Sequence, residues 1–367
     1  MDYYFETRDL VVGYQGRPLI SNISIQIRQG DVVTLIGPNG AGKSTILKSI
    51  TKHLRAISGD VLLEGRELRT LTYQELARQV AVVLTERVDP ELMTCWDVVA
   101  AGRYPYTGRM GILSKEDEAI TAHAMESVHV LELAQRSFHA ISDGQRQRIL
   151  LARAICQQPE ILVLDEPTSF LDIRHKLELL SLLRTMAKES HMTVLLSLHE
   201  IDLAQKLSDR LICVKGDHIA AAGTPDEIFQ QDTIRELYDL DSGTYDPAFG
   251  SVELPRLTGT PEVFVISACG AGIPVFRQLR RDGVPFAAGV LYENDVDCPV
   301  ARALAAEVVT EKPFVPISPE TMGKAQSLMA GCKQVIVTDF PLGPGNESLK
   351  PLLEAARQHP GLIRSNS

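Results

Sequence analysis

This sequence lacks the features of membrane-spanning, secreted and nucleic-acid-binding proteins. No apolar run among its 367 residues approaches the roughly 20 residues that a helix needs to cross a bilayer. The N-terminus has neither the basic stretch nor the apolar segment of a secretory signal, so we expect a cytoplasmic protein. The net charge of −10, without clusters of Lys and Arg, argues against a nucleic-acid partner.

Cysteine is scarce and unpatterned. The six cysteines form no C-x-x-C pair, and a cytoplasmic protein does not maintain disulfides, so we expect buried free thiols rather than metal ligands. Internal repeats and low-complexity tracts are also missing.

The length and a change of composition indicate two domains. A chain this long exceeds what one hydrophobic core usually supports. Residues 241–261 are rich in Asp, Ser, Gly, Pro and Thr, which predicts a linker between a domain at 1–240 and a smaller domain at 262–367. Both domains show an α/β pattern. The predicted strands lie within 3–36 (antiparallel) and at 61–63, 80–84, 161–164, 193–196, 263–266, 286–291 and 335–337; the predicted helices lie at 94–102, 115–133, 144–157, 174–189, 273–282, 296–306 and 320–330.

The most informative pattern is a glycine-rich loop between an apolar run and a helical pattern. The run 32–36 is followed by a G-x-x-x-x-G-K-S motif made of Gly37, Pro38, Asn39, Gly40, Ala41, Gly42, Lys43, Ser44 and Thr45. In such a loop, backbone N–H groups and a helix N-terminus converge on phosphates. Lys43 would reach the β and γ phosphates, and the Ser44 hydroxyl would hold Mg²⁺. The sequence therefore predicts ATP and Mg²⁺ as ligands, and the alternative is a glycine turn that opens a helix by chance.

Two carboxylates follow the apolar run 161–164. Asp165 and Glu166 lie at the carboxyl end of a predicted buried strand, where ligands of open α/β sheets bind. Asp165 would bind Mg²⁺ through water, and Glu166 would take the proton from a water that attacks the γ-phosphate. Taken alone, the pair would fit a solvated strand end equally well.

The order of these motifs resembles the nucleotide-binding domain of ATP-binding cassette (ABC) transporters over about residues 3–240. Residues 141–148 are similar to the L-S-G-G-Q signature, and Ser-Leu-His follows at 197–199. The resemblance implies an antiparallel β subdomain, a parallel-sheet core and a helical subdomain, followed here by a small Rossmann-like α/β domain. It also implies a head-to-tail homodimer, in which Ser142, Gly144 and Gln145 of one subunit complete the ATP site of the other.

The resemblance assigns further roles to individual positions. Tyr14 occupies the place of the aromatic residue that stacks on adenine, and His199 that of the switch histidine, which contacts the γ-phosphate and positions the water. Residues 169–172 match the loop that couples the two ATP sites. Glu86 stands where the family has a glutamine that contacts Mg²⁺, and Asp143 stands where it has glycine. A carboxylate can ligate Mg²⁺ but cannot donate a hydrogen bond to water, so we expect turnover and coupling to differ from the family norm.

The segment 101–106 resembles the ATPase subunits of importers for ferric siderophores, haem and cobalamin. The resemblance implies separate membrane-embedded permease subunits, contacted by residues 86–110 that include Arg103 and Tyr104, and a substrate-binding protein outside the membrane. The chain would then lie at the inner face of the membrane. The alternatives are a cassette ATPase without a membrane partner and a nucleotide-sensing protein that does not hydrolyse ATP.

The second domain contains another strand, glycine loop and helix. The run 263–266 leads to Cys269, Gly270 and Gly272, and acidic residues follow the next strand at 293 and 295. The match to a dinucleotide-binding unit is weak because the third glycine is missing. We expect a small regulatory or dimer-supporting domain, with nucleotide binding as the alternative, and we expect Cys269 to be a packing thiol.

Overall fold

A computed structural model describes residues 3–84, 92–107, 111–169, 171–240, 243–247 and 250–365. The chain divides into two compact units, Met1–Tyr238 and Asp239–Ser367. Within the described residues, no helix is both long enough and apolar enough to span a membrane.

The first unit combines strands and helices along its whole length. Its strands are β1 (Phe5–Tyr14), β2 (Arg17–Ile23), β3 (Gln26–Ile27), β4 (Val32–Ile36), β5 (Ser58–Leu63), β6 (Arg66–Glu67), β7 (Val80–Val83), β8 (Ile161–Leu164), β9 (Thr193–Ser197), β10 (Arg210–Lys215) and β11 (His218–Gly223). Its helices are α1 (Lys43–Ile50), α2 (Tyr73–Gln79), α3 (Cys95–Ala100), α4 (Lys115–Ser127), α5 (Asp143–Cys156), α6 (Ile173–Glu189), α7 (Ile201–Leu207), α8 (Pro225–Ile228) and α9 (Gln231–Leu237).

Two sheets organise this unit. An antiparallel sheet has the order β2-β1-β5-β6, with β3 paired to β1. A second sheet has the order β11-β10-β4-β9-β8-β7 and is parallel except for β11. Strands β4, β8 and β9 are buried at every residue, as expected for central parallel strands with both faces covered. The carboxyl ends of these three strands therefore lie side by side at one edge.

The helical region between β7 and β8 is more broken than its periodicity predicts. The predicted helix 115–133 ends at Ser127 and is followed by a 3-10 turn at Leu131–Leu133. His129 adopts a left-handed conformation with φ of 55°, which an α-helix cannot continue through. The helix begins where Ser114 and Asp117 form a reciprocal capping box.

The second unit is built on a parallel sheet. Its strands are β12 (Thr244–Asp246), β13 (Ser251–Glu253), β14 (Val263–Ile266), β15 (Phe286–Tyr292), β16 (Glu307–Glu311), β17 (Gln334–Thr338) and β18 (Leu362–Ser365), and its helices are α10 (Ile273–Arg281), α11 (Asp297–Leu304), α12 (Pro319–Gly331) and α13 (Lys350–Arg357). The sheet order β16-β15-β14-β17-β18 is parallel throughout. The chain leaves β14 toward β15 and β16 and then returns across it to β17, which creates a switch point between β14 and β17.

Some features of the second unit differ from the sequence-based predictions. The segment predicted as a linker contains the antiparallel pair β12 and β13, in which Tyr245 is buried and Glu253 forms an ion pair with Arg277. Cys269 is exposed, so the prediction of a packing thiol is wrong at this position, whereas the other five cysteines are buried. Partial burial and the nearby carboxylates of Asp295 and Asp297 raise the pKa of the Cys269 thiol and keep it protonated.

Candidate nucleotide-binding site

The phosphate loop joins β4 to α1, as the sequence predicts. Gly37 has φ of 146°, and a Cβ there would lie 2.1 Å from the carbonyl oxygen of Val214. Gly42 has φ of 90°, and its Cβ would lie 2.6 Å from Ile20 Cδ1. Both positions therefore require glycine. Among the described residues no side chain caps α1, and its first turn carries no acidic residue, so its N-terminal N–H groups are suited to an anion.

Lys43 is buried inside this loop. Its Nζ donates to the carbonyl oxygens of Gly37 at 2.7 Å and Pro38 at 2.9 Å. Burial lowers the pKa of Lys43, while the charges of Glu166 and Asp165 act in the opposite direction. The loop thus holds a cation close to the helix N-terminus, where the β and γ phosphates are expected.

Ser44 and Asp165 meet although 121 positions separate them. Ser44 Oγ donates to Asp165 Oδ1 at 3.0 Å, because β4 and β8 both flank β9 and end at the same edge. A hydroxyl and a carboxylate are the hard oxygen ligands that Mg²⁺ prefers. No cluster of three or more His, Cys, Asp or Glu able to hold a metal occurs in the described parts of the chain. Mg²⁺ is usually bound by one or two protein groups together with substrate phosphates and water. Glu86, the third predicted ligand, lies outside the described residues.

Glu166 faces His199 directly. The carboxylate Oε1 and the imidazole Nε2 are 2.5 Å apart, and Ser169 Oγ donates to Glu166 Oε2 at 3.3 Å. Glu166 has φ of 50°, a left-handed conformation that non-glycine residues adopt rarely and that concentrates at functional sites. The structure therefore brings together the predicted base and the predicted switch histidine.

Ser197 is a central site residue to which the sequence analysis assigned no role. Its Oγ donates to Asp165 Oδ1 at 2.7 Å and accepts the backbone N–H of Glu166 at 2.9 Å. Ser197 is the last residue of β9, beside the end of β8, so it ties the two acids to the neighbouring strand. A small hydroxyl residue directly after the apolar run 194–196 was the available signal.

The signature segment forms the N-terminus of α5. Ser142 and Gln145 make a capping box: Ser142 Oγ accepts the Gln145 N–H at 3.3 Å, and Gln145 Oε1 accepts the Ser142 N–H at 3.0 Å. Gly144 lies in the first turn between them. The Asp143 carboxylate, which departs from the family pattern, lies 3.4 Å from the Arg146 guanidinium, so its charge has a partner within the same turn.

The remaining predicted residues, Tyr14, Arg103 and Tyr104, differ in their exposure. Tyr14 has half of its surface exposed, and its hydroxyl lies 3.2 Å from Thr45 Oγ1, beside the start of α1. Arg103, predicted to contact a permease, is buried: it donates to Asp117 Oδ1 at 2.8 Å and to the Cys156 carbonyl oxygen at 3.0 Å. Tyr104 next to it is 59% exposed.

A phosphate loop after β4 and an acid pair after β8, joined across β9, form the site of a P-loop ATPase of the cassette type. The ABC transporter family matches residues 20–169, and the MJ0874 family matches residues 286–363. The chain resembles a structure of a putative metal-chelate type ABC transporter in an inward-facing conformation, with a TM-score of 0.57 and 25% identity over 64% of this chain and 89% of that one.

Curated relatives extend this similarity. An uncharacterized ABC transporter ATP-binding protein of Methanocaldococcus jannaschii is 41% identical over 278 residues, which cover 76% of this chain and 96% of the relative. The iron(3+)-hydroxamate import ATP-binding protein of Bacillus subtilis is 36% identical over 64% of this chain and 88% of its own length. The cobalamin import ATP-binding protein of Halobacterium salinarum is 33% identical over 324 residues, 86% of this chain and 81% of the relative.

The chain therefore belongs to the ATP-binding proteins of ABC transporters, and it binds and hydrolyses ATP. The expected fold class, a P-loop cassette followed by a small α/β unit, is confirmed. The alignments with the first and third relatives cover more residues than the 238 of the first unit, so this similarity continues into the second unit.

Proposed function

We propose that the chain is the ATP-hydrolysing subunit of an importer for iron siderophores, haem or cobalamin, and that it works as a head-to-tail homodimer on a membrane-embedded permease. Such a subunit lies at the inner face of the membrane, and a substrate-binding protein delivers cargo from outside. The names of the hydroxamate-iron and cobalamin import relatives support this class of cargo. The 2.5 Å contact between Glu166 and His199 is the observation that carries the hydrolytic part of the proposal.

In this mechanism Glu166 is the general base. Its carboxylate accepts a proton from the water that attacks the γ-phosphate, and His199 keeps the carboxylate oriented and contributes a donor beside the reacting phosphate. Ser197 supports both acids from β9. This intact pair argues against the alternative of a nucleotide sensor without hydrolysis.

Lys43 and the loop bind the phosphates. The Lys43 ammonium exchanges its two carbonyl acceptors for oxygens of the β and γ phosphates, and the N–H groups of α1 add fixed partial positive charge. Ser44 and Asp165, with Glu86, are the proposed ligands of Mg²⁺, which when bound neutralises charge on the phosphates. Tyr14 stacks on the adenine.

The second subunit completes each site with the N-terminus of its α5. Ser142, Gly144 and Gln145 approach the γ-phosphate held by the partner subunit, and the dipole of this 14-residue helix favours that anion. The ion pair between Asp143 and Arg146 reduces the repulsion that the extra carboxylate would cause.

The permease contact lies on the segment around Tyr104. Buried Arg103 supports this segment by joining Asp117 to the carbonyl oxygen at the end of α5, while exposed Tyr104 is available to a partner. We expect Tyr104→Ala to weaken co-purification with a permease encoded by a neighbouring gene. Tyr73→Ala is the matched control, because Tyr73 is exposed in the same unit but outside this segment. Equal co-purification of both variants would contradict the assigned contact.

The central experiment uses Glu166→Gln, which keeps the shape of the side chain but removes the base. We expect ATP turnover to fall about 100-fold to 10,000-fold, the usual contribution of a general base, while ATP remains bound. Light scattering after gel filtration with Mg²⁺ and ATP should then show a dimer. Glu178→Gln on the exposed face of α6 is the control and should leave turnover unchanged. An ATP-loaded Glu166→Gln variant that stays monomeric would refute the shared sites.

A further inference from the structure

The second unit has a large cleft at the carboxyl ends of its parallel strands. Its volume is about 1260 Å³, and the loops that follow β14, β15, β16 and β17 all contribute to its lining. The cleft therefore lies beside the switch point between β14 and β17, where open α/β sheets bind their ligands. The volume exceeds the roughly 300–1,000 Å³ of a pocket for a drug-sized molecule, so the cleft can accept a bulky one.

The loops around this cleft are held in place. After β16, the Glu311 carboxylate accepts the N–H groups of Lys312 at 3.1 Å and Ser318 at 2.9 Å, and these bonds lower the pKa of Glu311 to about 2. After β17, Asn346 accepts the Gly343 N–H and donates to the Pro341 carbonyl oxygen, both at 2.9 Å. A cleft with such tethered walls is preformed, which reduces the entropy lost when a ligand binds.

Large apolar side chains line the rim of the cleft and face water. Phe314 is 94% exposed and has φ of 61°, a left-handed conformation that is strained for an aromatic residue. Leu342, Val296 and Val315 are also exposed and belong to the same lining. Clustered exposed apolar surface and local backbone strain both concentrate at binding sites.

The backbone N–H groups of the glycine loop in the second unit, which could bind an anion, already bond to carboxylates of the same unit. Asp297 is fully buried and accepts the N–H groups of Gly272 at 3.0 Å and Ile273 at 3.2 Å, at the start of α10. Asp295 accepts the Cys269 N–H at 2.9 Å. In a dinucleotide-binding unit these backbone donors would hold the pyrophosphate. Asp295 belongs to the lining of the cleft, so an anionic ligand there would meet its carboxylate in place of a free N–H donor at Cys269.

We propose that this cleft binds a bulky, predominantly apolar small molecule that carries no net negative charge. The size of the cleft and its apolar rim favour a bulky apolar ligand. The carboxylates bonded to the glycine loop disfavour phosphorylated cofactors. The proposal is independent of the cargo and of the permease.

The location is tested with an intrinsic fluorophore and the uncharged naphthalene dye prodan. The sequence contains a single tryptophan, Trp96. In a full-length Trp96→Phe background, Phe314→Trp places a donor on the cleft rim, and Leu254→Trp places one at an exposed site outside the lining. We expect prodan to quench the first donor by energy transfer at concentrations that leave the second unchanged. Equal quenching of both donors would overturn the location.

The chemistry is tested with paired dyes and a charge substitution. Prodan should bind more tightly than anilinonaphthalene sulfonate, an anionic dye of similar body, and the reverse order would overturn the proposed charge preference. Leu342→Asp should weaken prodan binding about tenfold, the effect of losing roughly 1.4 kcal/mol, while Leu254→Asp should not. If Leu342→Asp changes the oligomeric state measured by light scattering and leaves prodan binding unchanged, the surface is an interface between copies and the ligand site is refuted.

Discussion

The two units contain the same local arrangement, a buried strand, a glycine loop and a helix, and use it in opposite ways. Both α1 and α10 have glycine as the N-cap residue, Gly42 and Gly272. The first helical residue is Lys43 in one unit and Ile273 in the other. Among the described residues no side chain caps the start of α1, whereas the start of α10 is bonded to the buried carboxylate of Asp297.

The difference shows that a glycine loop supplies backbone N–H donors, while the residues packed around the loop determine which acceptor these donors bond. In both units a carboxylate from a later part of the chain, after another strand of the same sheet, approaches the loop or the start of its helix. In the first unit, Asp165 meets the Ser44 side chain and leaves the backbone N–H groups of the loop to phosphate. In the second unit, Asp297 meets the backbone N–H groups themselves. We therefore expect phosphate at the glycine loop of the first unit and not at that of the second unit.

The largest expected effect comes from removing the lysine ammonium at the glycine loop of the first unit. Lys43→Ala should lower ATP turnover about 100-fold to 1,000-fold, as expected when a preorganised donor to the reacting charge is lost. Phosphate release measures turnover, and fluorescent ATP measures binding. Lys324→Ala, an exposed lysine in the second unit, is the control and should have no effect. Unchanged ATP affinity and turnover in Lys43→Ala would contradict the proposed difference between the two units, because the glycine loop of the first unit would then not bind phosphate.

An intermediate effect is expected from removing the carboxylate that bonds to the start of α10 in the second unit. Asp297→Ala leaves the N–H groups of Gly272, which is buried, and Ile273, which is part-buried, without this acceptor, which should destabilise the start of α10 by about 1–3 kcal/mol. Hydrogen exchange followed by mass spectrometry should show faster exchange at residues 268–276, with ATP turnover retained.

Two controls sharpen this second test. Asp297→Asn keeps a carbonyl acceptor and should show a smaller change, and Asp339→Ala at an exposed position should show none. Exchange in Asp297→Ala that matches the wild type would mean that the carboxylate does not close this helix N-terminus.

The smallest effect concerns the loop beside the cleft and depends on pH. The folded-state pKa of Glu311 is lowered from 4.5 to about 2 by the N–H groups of Ser318 and Lys312. The stabilisation is therefore complete above pH 4.5 and is lost as the pH falls toward 2, because the carboxylate is then protonated in both states. Glu311→Gln should reduce the thermal midpoint of the second unit at pH 7, and the difference from wild type should shrink below pH 4.5. Glu320→Gln, an exposed residue of α12, serves as the control. A difference that does not change with pH would contradict the role of the charged form.

Much of the first site could be predicted because its motifs are local. The phosphate loop, the acid pair and His199 each lie within a few residues of a strand end, and the largely apolar strands β4, β8 and β9 identify those ends. The burial of Arg103 could not be predicted, because its partners Asp117 and Cys156 come from other helices. The same reason hides the role of Ser197, whose two partners lie about 30 positions away and meet it only through strand order.

In the second unit the edges of the sheet were the weakest part of the prediction. Strand β16 is missed because its sequence, Glu-Val-Val-Thr-Glu, has only one buried residue, Val309. Strand β18 is a short edge strand near the end of the chain. Edge strands are exposed on one side and lack the continuous apolar run of central strands, so periodicity identifies them poorly.

The sequence by itself determined the local geometry of this protein: where strands end, where glycine allows positive φ, and which side chains stand at a strand end. Only the tertiary structure decided which groups meet. The order of strands places Asp165 beside Ser44 in one unit and Asp297 beside Gly272 in the other. Hydrogen bonds act over about 3 Å, so residues far apart in the chain become partners only when the packed sheet brings them within that distance.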